Sequence, residues 1–164
     1  MNPIELDGSH LSLEDIEAVA DGAPVRIAPA ARDRVARARE FVDSRFASGE
    51  VIYGVTTGFG RLASISVDPA DAVALQLNLV RSHAAGTGEP LGIPLVRAAG
   101  VLRANSLSAG HSGVSPQTLD LIVAMLERGV TPVVPCQGSV GASGDLAPLA
   151  HMTLTLIGEG EAFY

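Results

Sequence analysis

Little in this sequence invites crosslinking, membrane insertion or binding to polyanions. A single cysteine in 164 residues, Cys136, excludes an internal disulfide and fits a reducing cytoplasm. It reads most simply as a small buried apolar residue. No apolar run reaches the length of a membrane-spanning helix, and Met1-Asn-Pro-Ile-Glu5 lacks a signal-peptide pattern. Positive charge is scarce: Lys and Arg total 11 against 18 Asp and Glu, for a net charge of -7. That balance argues against nucleic acid and anionic membrane as partners. Internal repeats, low-complexity tracts and interdomain linkers are also missing.

What is present is a markedly apolar chain, 47% hydrophobic and 18% charged, with a mean hydropathy of +0.31. Its length is one domain's worth and enough to bury a core. The apolar excess implies surface destined for a partner chain.

Periodicity predicts about six helices and a mainly α fold with a few short strands near the N-terminus. Ile4 to Gly8 reads as a strand ending in a turn, and Val25 to Ile27 as another short extended piece. Ser12 caps a helix with Leu13, Ile16 and Ala20 on one face and Asp15 in the capping-box region. From Pro29 to Ala47 a longer helix aligns Ala31, Val35, Ala38 and Val42. Its opposite face interleaves Arg32, Arg34, Arg37 and Arg39 with Glu40 and Asp43, as a solvated, salt-bridged surface does. Asp68 and Pro69 open a helix that Gly86 follows, with Gln76, Arg81 and His83 opposite its apolar face. Pro94 to Ala109 aligns Leu95, Ala99, Leu102 and Ser106. Ser115 and Pro116 start a further helix with Leu119, Ile122, Val123 and Leu126 in line. Val130 to Pro135, with two prolines, is an extended connector.

That connector leads to Gly138-Ser-Val-Gly-Ala-Ser-Gly144, in which only Val140 is larger than serine. Glycine at every third position opens backbone conformations closed to other residues. Ser143, Asp145 and Pro148 carry helix-start chemistry, and the helix from about Asp145 to Ile157 is apolar on nearly every side, hence buried. Three readings of the loop compete. It is a tight turn with a helix cap; or an anion cradle at a helix N-terminus; or a self-cyclising triplet. The cradle lacks both the dinucleotide spacing and a Gly-Lys-Ser/Thr ending. In the third reading the Gly144 amide nitrogen attacks the Ala142 carbonyl, and two waters are lost, one with the Ser143 hydroxyl. The product is a five-membered ring bearing a methylidene. Glycine allows the bend, serine supplies the eliminated hydroxyl, and alanine is small enough for close approach.

Two other stretches stand out. Val51-Ile-Tyr-Gly-Val-Thr-Thr-Gly-Phe-Gly60 begins as a strand and dissolves into a loop at Gly54, Gly58 and Gly60. Tyr53 at the transition is either a packed tyrosine or one that presents its hydroxyl to a cavity. In Asn78-Leu-Val-Arg-Ser-His-Ala-Ala-Gly-Thr-Gly88, His83 alone reads as a hydrogen-bonded structural histidine or a functional one.

Gly138-Ser-Val-Gly-Ala-Ser-Gly-Asp-Leu-Ala-Pro-Leu-Ala-His151 resembles the signature of the aromatic amino acid ammonia-lyases and aminomutases. Tyr53-Gly-Val-Thr-Thr-Gly-Phe-Gly60 and the Asn78 segment match that family in order and distance, as does Asn105-Ser-Leu-Ser-Ala-Gly-His-Ser-Gly113, whose His111 is structural by default. The resemblance implies that Ala142, Ser143 and Gly144 form the prosthetic group 4-methylideneimidazole-5-one, with no external cofactor or metal. It implies Tyr53 as the base for the substrate's β-proton, although a tyrosine of ordinary pKa near 10 is a poor base at neutral pH. Asp145 assists cyclisation or holds the loop, and Gly60 belongs to the substrate side. The Ser82-His83 pair is similar to the histidine ammonia-lyase form, and one imidazole partners another because each ring donates and accepts.

The resemblance therefore implies elimination of ammonia from an L-amino acid, L-histidine giving urocanate, in a helix-rich homotetramer with composite sites. Such relatives run to about three domain lengths. Residues 1–164 then form a single N-terminal domain carrying the prosthetic group, either a fragment or one subunit of a split lyase, completed by the remaining chain and inactive alone. An aminomutase with the same prosthetic group, a non-catalytic or regulatory subunit, and a phosphate-binding loop are the rivals.

Overall fold

The computed structural model describes residues 2–55, 57, 71–138, 140–141 and 144–164. Along the chain run β1 (Ile4–Leu6), α1 (Leu13–Ala20), β2 (Val25–Ile27), α2 (Pro29–Ala47), α3 (Ala72–His83), β3 (Thr87–Pro90), α4 (Ile93–Ser108), α5 (Pro116–Glu127), β4 (Thr131–Pro132), β5 (Pro135–Gln137), β6 (Val140–Gly141), β7 (Gly144–Asp145), α6 (Leu146–Leu156) and β8 (Ala162–Phe163). The mainly α expectation holds, with six helices among the described residues.

Local chemistry sets the helix starts. Ser12 Oγ accepts from the Asp15 N–H, and the Asp15 carboxylate accepts from the Ser12 N–H, both at 3.1 Å, which closes a capping box on α1. Ser115 Oγ accepts from the Thr118 N–H at 3.2 Å, ahead of Pro116 at the first position of α5. The basic face of α2 is salt-bridged as anticipated. Arg32 reaches both carboxylate oxygens of Asp120, at 2.8 and 2.6 Å, and Arg39 pairs with Asp43 one turn on.

α4 lies at the centre. Val101, Ala104 and Leu107 join Leu6, Val19, Val25, Val35, Leu119, Ile122 and Leu126 in one core. Gly100 permits close packing, since a Cβ there would lie 3.3 Å from Leu126 Cδ2. The stripe Leu95, Ala99, Leu102 and Ser106, aligned in the sequence, is not the core face. Leu95 and Leu102 are about half exposed, while Val96, Arg97, Gly100, Val101, Ala104 and Asn105 turn inward.

Arg97 is the polar centre of this layer. Its side chain is buried and has no carboxylate partner among the described residues. Nε donates to the Val19 carbonyl and Nη1 to the Leu126 carbonyl, each at 3.0 Å. Both carbonyls lie in the last turns of their helices, α1 and α5, where the helix dipole is negative, and each also accepts a turn N–H, from Gly22 at 3.1 Å and from Gly129 at 3.4 Å. Asn105, one face further along, receives the Gly8 N–H at 3.0 Å and donates to the Ser9 carbonyl at 2.7 Å. It clamps the turn after β1, where Gly8 has φ +80° and no room for a Cβ beside Ala109.

Among the described residues every ladder has two strands: β1 with β2 in parallel, and β3 with β5, β4 with β8 and β6 with β7 antiparallel. Only the first pair is near the N-terminus. The others are short, and pieces such as Thr-Gly-Glu-Pro carry no alternating apolar pattern from which to predict them. Val51 and Ile52 are not a strand either; the chain turns at Tyr53–Val55, closed by the Val55 N–H on the Ile52 carbonyl at 3.0 Å. Two burial expectations also change. Cys136 is exposed, because β5 is half of a two-stranded ladder with one open face. In α6 the small Ala147 and Ala150 are buried, whereas Leu146 and Leu149 are exposed.

α3 packs on α6, and the pair is tied at one end by Arg81, whose Nε donates to Glu159 at 2.8 Å in a two-point ion pair. The Arg81 hydrogen bonds hold the Glu159 carboxyl below its ordinary value of 4.5. A depressed folded-state value stabilises above the unfolded value and is lost as pH falls.

Two outcomes follow. Arg97→Met removes two charged donors from the Val19 and Leu126 carbonyls, which keep only their turn N–H partners, so urea denaturation should show a loss of about 2 kcal/mol. Acidifying from neutral to below pH 4.5 should lower the amide protection factors, corrected for intrinsic exchange, at the C-terminal turn of α6, and Glu159→Gln should abolish that pH dependence. Both partners are exposed, so high salt should shrink the effect.

Candidate active site

The glycine-rich loop is a β-hairpin. Val140 pairs with Asp145 and Gly141 with Gly144, leaving a two-residue connection at positions 142 and 143. Ladders of this kind demand residues that accept positive φ, and Gly144 has φ +106° with open space where a Cβ would project. Ala142 and Ser143 lie outside the described residues, as does Gly60; Asp145 is described through its backbone in β7. Immediately beyond the hairpin the chain enters α6, with Pro148 in its first turn.

α3 supplies the next pieces. Ser82 is exposed and His83 half-buried at its C-terminal end. His83 Nδ1 donates to the Leu79 carbonyl at 2.8 Å, and Ser82 Oγ lies 3.2 Å from the same nitrogen while donating to Leu79 O at 3.0 Å. With Nδ1 donating to its own helix, the tautomer of the ring that holds this bond without a second proton leaves a lone pair on Nε2. Such a ring can accept an N–H from a ligand.

Tyr53 is 62% exposed. Its turn is fastened twice: the Gly54 N–H donates to the hydroxyl of fully buried Thr57 at 3.2 Å, and Gln76 Nε2 donates to the Gly54 carbonyl at 3.3 Å. Gln76 and His83 are seven residues apart on α3, two turns on one face and about 10 Å along the axis. α3 therefore carries the Tyr53 turn on one part and the Ser82–His83 pair at its end.

His151, on α6, closes the arrangement. Its Nε2 accepts the Gly86 N–H at 3.0 Å, and Gly86 leads into β3, whose Thr87 pairs with Gln137 of β5. The end of α3, the strand entering the loop and the helix leaving it thus meet at one point. In the sequence His151 stands only as the last residue of a motif, and Gln76 only as a polar residue opposite the apolar face of its helix. The signal for His151 was a lone polar ring on an otherwise apolar helix, which must find a partner when partly buried. A separate open groove of about 680 Å³ runs between α2, α4, α5 and α6 and includes Val96, Gly100, Met125 and Met152. It touches Gly54, Val55 and Gln76 but not Tyr53, His83 or Gly144.

Among the described residues no three His, Cys, Asp or Glu side chains gather as a metal site, and no helix is long and apolar enough to cross a membrane.

Residues 11–164 match the family model for aromatic amino acid lyases. A histidine ammonia-lyase of Anaeromyxobacter sp. (strain K) is 59% identical over 99% of this chain and 32% of its own length. Among solved structures, a tyrosine aminomutase from Streptomyces globisporus superposes with TM-score 0.94 at 39% identity, covering 99% of this chain and 31% of that one. A histidine ammonia-lyase from Trypanosoma cruzi gives 0.88 at 36% identity, covering 98% and 30%. The chain thus spans about a third of the length of the relatives it matches. On the strength of the family match over nearly all its residues, the chain belongs to the aromatic amino acid lyases.

Proposed function

We propose that these residues are the N-terminal, electrophile-bearing part of a histidine ammonia-lyase that converts L-histidine to urocanate and ammonia in the cytoplasm. The observation that carries this reading is the Ala142-Ser143-Gly144 triplet, which begins at a hairpin connection flanked by the Gly141–Gly144 pair. Similarity to histidine ammonia-lyases at 59% identity supports the substrate.

The residues present fit a 4-methylideneimidazole-5-one. Two residues separate the paired Gly141 and Gly144, and Gly144 holds a backbone conformation that disfavours side chains. Ala142, Ser143 and Gly144 would hold the group as their own backbone, and Asp145 anchors the exit strand. When formed, the group supplies an electrophilic carbon that draws electrons from the substrate and makes its nitrogen a competent leaving group.

The chain's remaining tasks are binding and proton transfer. His83 Nε2 accepts the N–H of the substrate imidazole while its Nδ1 proton stays on the Leu79 carbonyl. Tyr53 removes the β-proton as general base, with Gly60 and Ser82 at the substrate side. Its turn is held by Thr57 and Gln76, so its hydroxyl is delivered by a fastened segment. Leu95 and Leu102 of α4 and Leu146 and Leu149 of α6, exposed here, are covered in the complete enzyme by the polypeptide that supplies the rest of the relatives' length, within an oligomer.

The structural likeness to tyrosine aminomutases favours one second reading, in which the same groups move the amine to the β-carbon. Product analysis separates the two: urocanate and free ammonia for the lyase, a β-amino acid for the mutase. In the complete enzyme, the intact mass should be lighter than the sequence by two waters, and Ser143→Ala should restore the full mass. The same substitution should lower turnover of L-histidine about a thousandfold or more, as loss of a covalent catalytic group does. An unmodified wild-type mass would exclude both readings.

A further inference from the structure

Whatever chemistry the hairpin performs, selection of a substrate requires that the Ser82–His83 end of α3 keep a fixed distance from it. Helix packing alone sets such a distance loosely here, because the α6 residues buried nearest the loop are the small Ala147 and Ala150. Besides the exposed Arg81–Glu159 pair beyond the far end of α6, the directed contact is a hydrogen bond, from the Gly86 N–H to His151 Nε2 at 3.0 Å. Gly86 is three residues beyond His83, and His151 follows the hairpin through the first turns of α6.

The fit around Gly86 is close on two sides. A Cβ there would stand 3.0 Å from His151 Nε2, 3.2 Å from its Cδ2 and 3.3 Å from the Gln137 carbonyl. Gln137 is the last residue of β5, so the ring and the entering strand together enclose the Gly86 backbone. To accept the bond, Nε2 must carry no proton, which places the ring proton on Nδ1.

We propose that His151 is a positioning residue, which through Gly86 sets the register of Ser82 and His83 against the loop that carries Ala142, Ser143 and Gly144. It touches no substrate atom in this role and acts on selectivity through His83. The proposal rests on the histidine ammonia-lyase reading above.

The test uses the complete enzyme and three variants. His151→Phe keeps a ring but removes the acceptor; His151→Gln restores an acceptor at similar reach; Gly86→Ala leaves His151 in place and pushes the ring away. Each is assayed for the two-water mass deficit, then for kcat and KM on L-histidine and on L-phenylalanine. With the mass deficit intact, His151→Phe should lower the preference for L-histidine about tenfold, the scale of one directed hydrogen bond. The loss should appear in KM more than in kcat, His151→Gln should recover most of it, and the Phe/Ala double variant should lose little more than either single one. Unchanged selectivity in His151→Phe, or equal loss in His151→Gln, overturns the proposal. If His151→Phe does not accumulate as folded protein, Gly86→Ala decides: a fall in selectivity supports the strut and wild-type selectivity overturns it. A wild-type mass without the two-water deficit overturns the lyase reading itself, which a selectivity result does not.

Discussion

A guanidinium buried without a carboxylate partner among the described residues is the constraint on which the helical frame depends. Moving such a charge out of water is costly unless strong acceptors replace the water. For Arg97 the acceptors are the Val19 and Leu126 carbonyls, two helix-end groups that each accept a turn N–H as well. One side chain thereby fixes where α1 and α5 stop against α4, and Gly100 and Ala104 let the helices close around it. Asn105 repeats the solution nearby, giving the turn after β1 a donor and an acceptor in place of strand partners.

The candidate site is built on a different part of the chain and by a different means. α3 makes no contribution to the main core cluster; it is held by directed contacts. Gln76 reaches the Tyr53 turn, Arg81 reaches Glu159, and Gly86 reaches His151. Directed contacts fix distance and angle where packing of small residues does not, and the site has more use for accuracy than for bulk stability.

Much of this was legible in the sequence where local chemistry decides. Ser12 with Asp15, Pro29 and Ser115 with Pro116 marked three helix starts, because capping is a matter of a few adjacent residues. The charged face of α2 was readable for the same reason. What escaped were features settled by distant partners. Leu95 and Leu102 line up on α4, yet the helix turns its smaller residues inward because α1 and α5 approach closely. Cys136 and the α6 leucines are apolar, and composition alone cannot say which apolar groups find cover. The ladder of β3 with β5 joins residues almost fifty positions apart and has no pattern of its own. The candidate site divides similarly: the triplet and His83 are visible as motifs, whereas Gln76 and His151 gain meaning only from what they touch.

Under the proposed lyase reading, the hairpin and the helix end place opposite demands on the backbone. Closing a ring between residues 142 and 144 needs a chain free to bend where ordinary residues cannot, which glycine supplies at a cost in order. Discriminating an imidazole from a phenyl ring needs a partner held still, since the difference is a single hydrogen bond. A chain that did both with one segment would sacrifice one for the other. Here the bend is confined between two paired residues, and the imidazole is set by its own helix through Leu79. The two are then joined through neither the bend nor the imidazole, but through a glycine three residues beyond His83 and a histidine on α6, so that each keeps the local conformation its task requires.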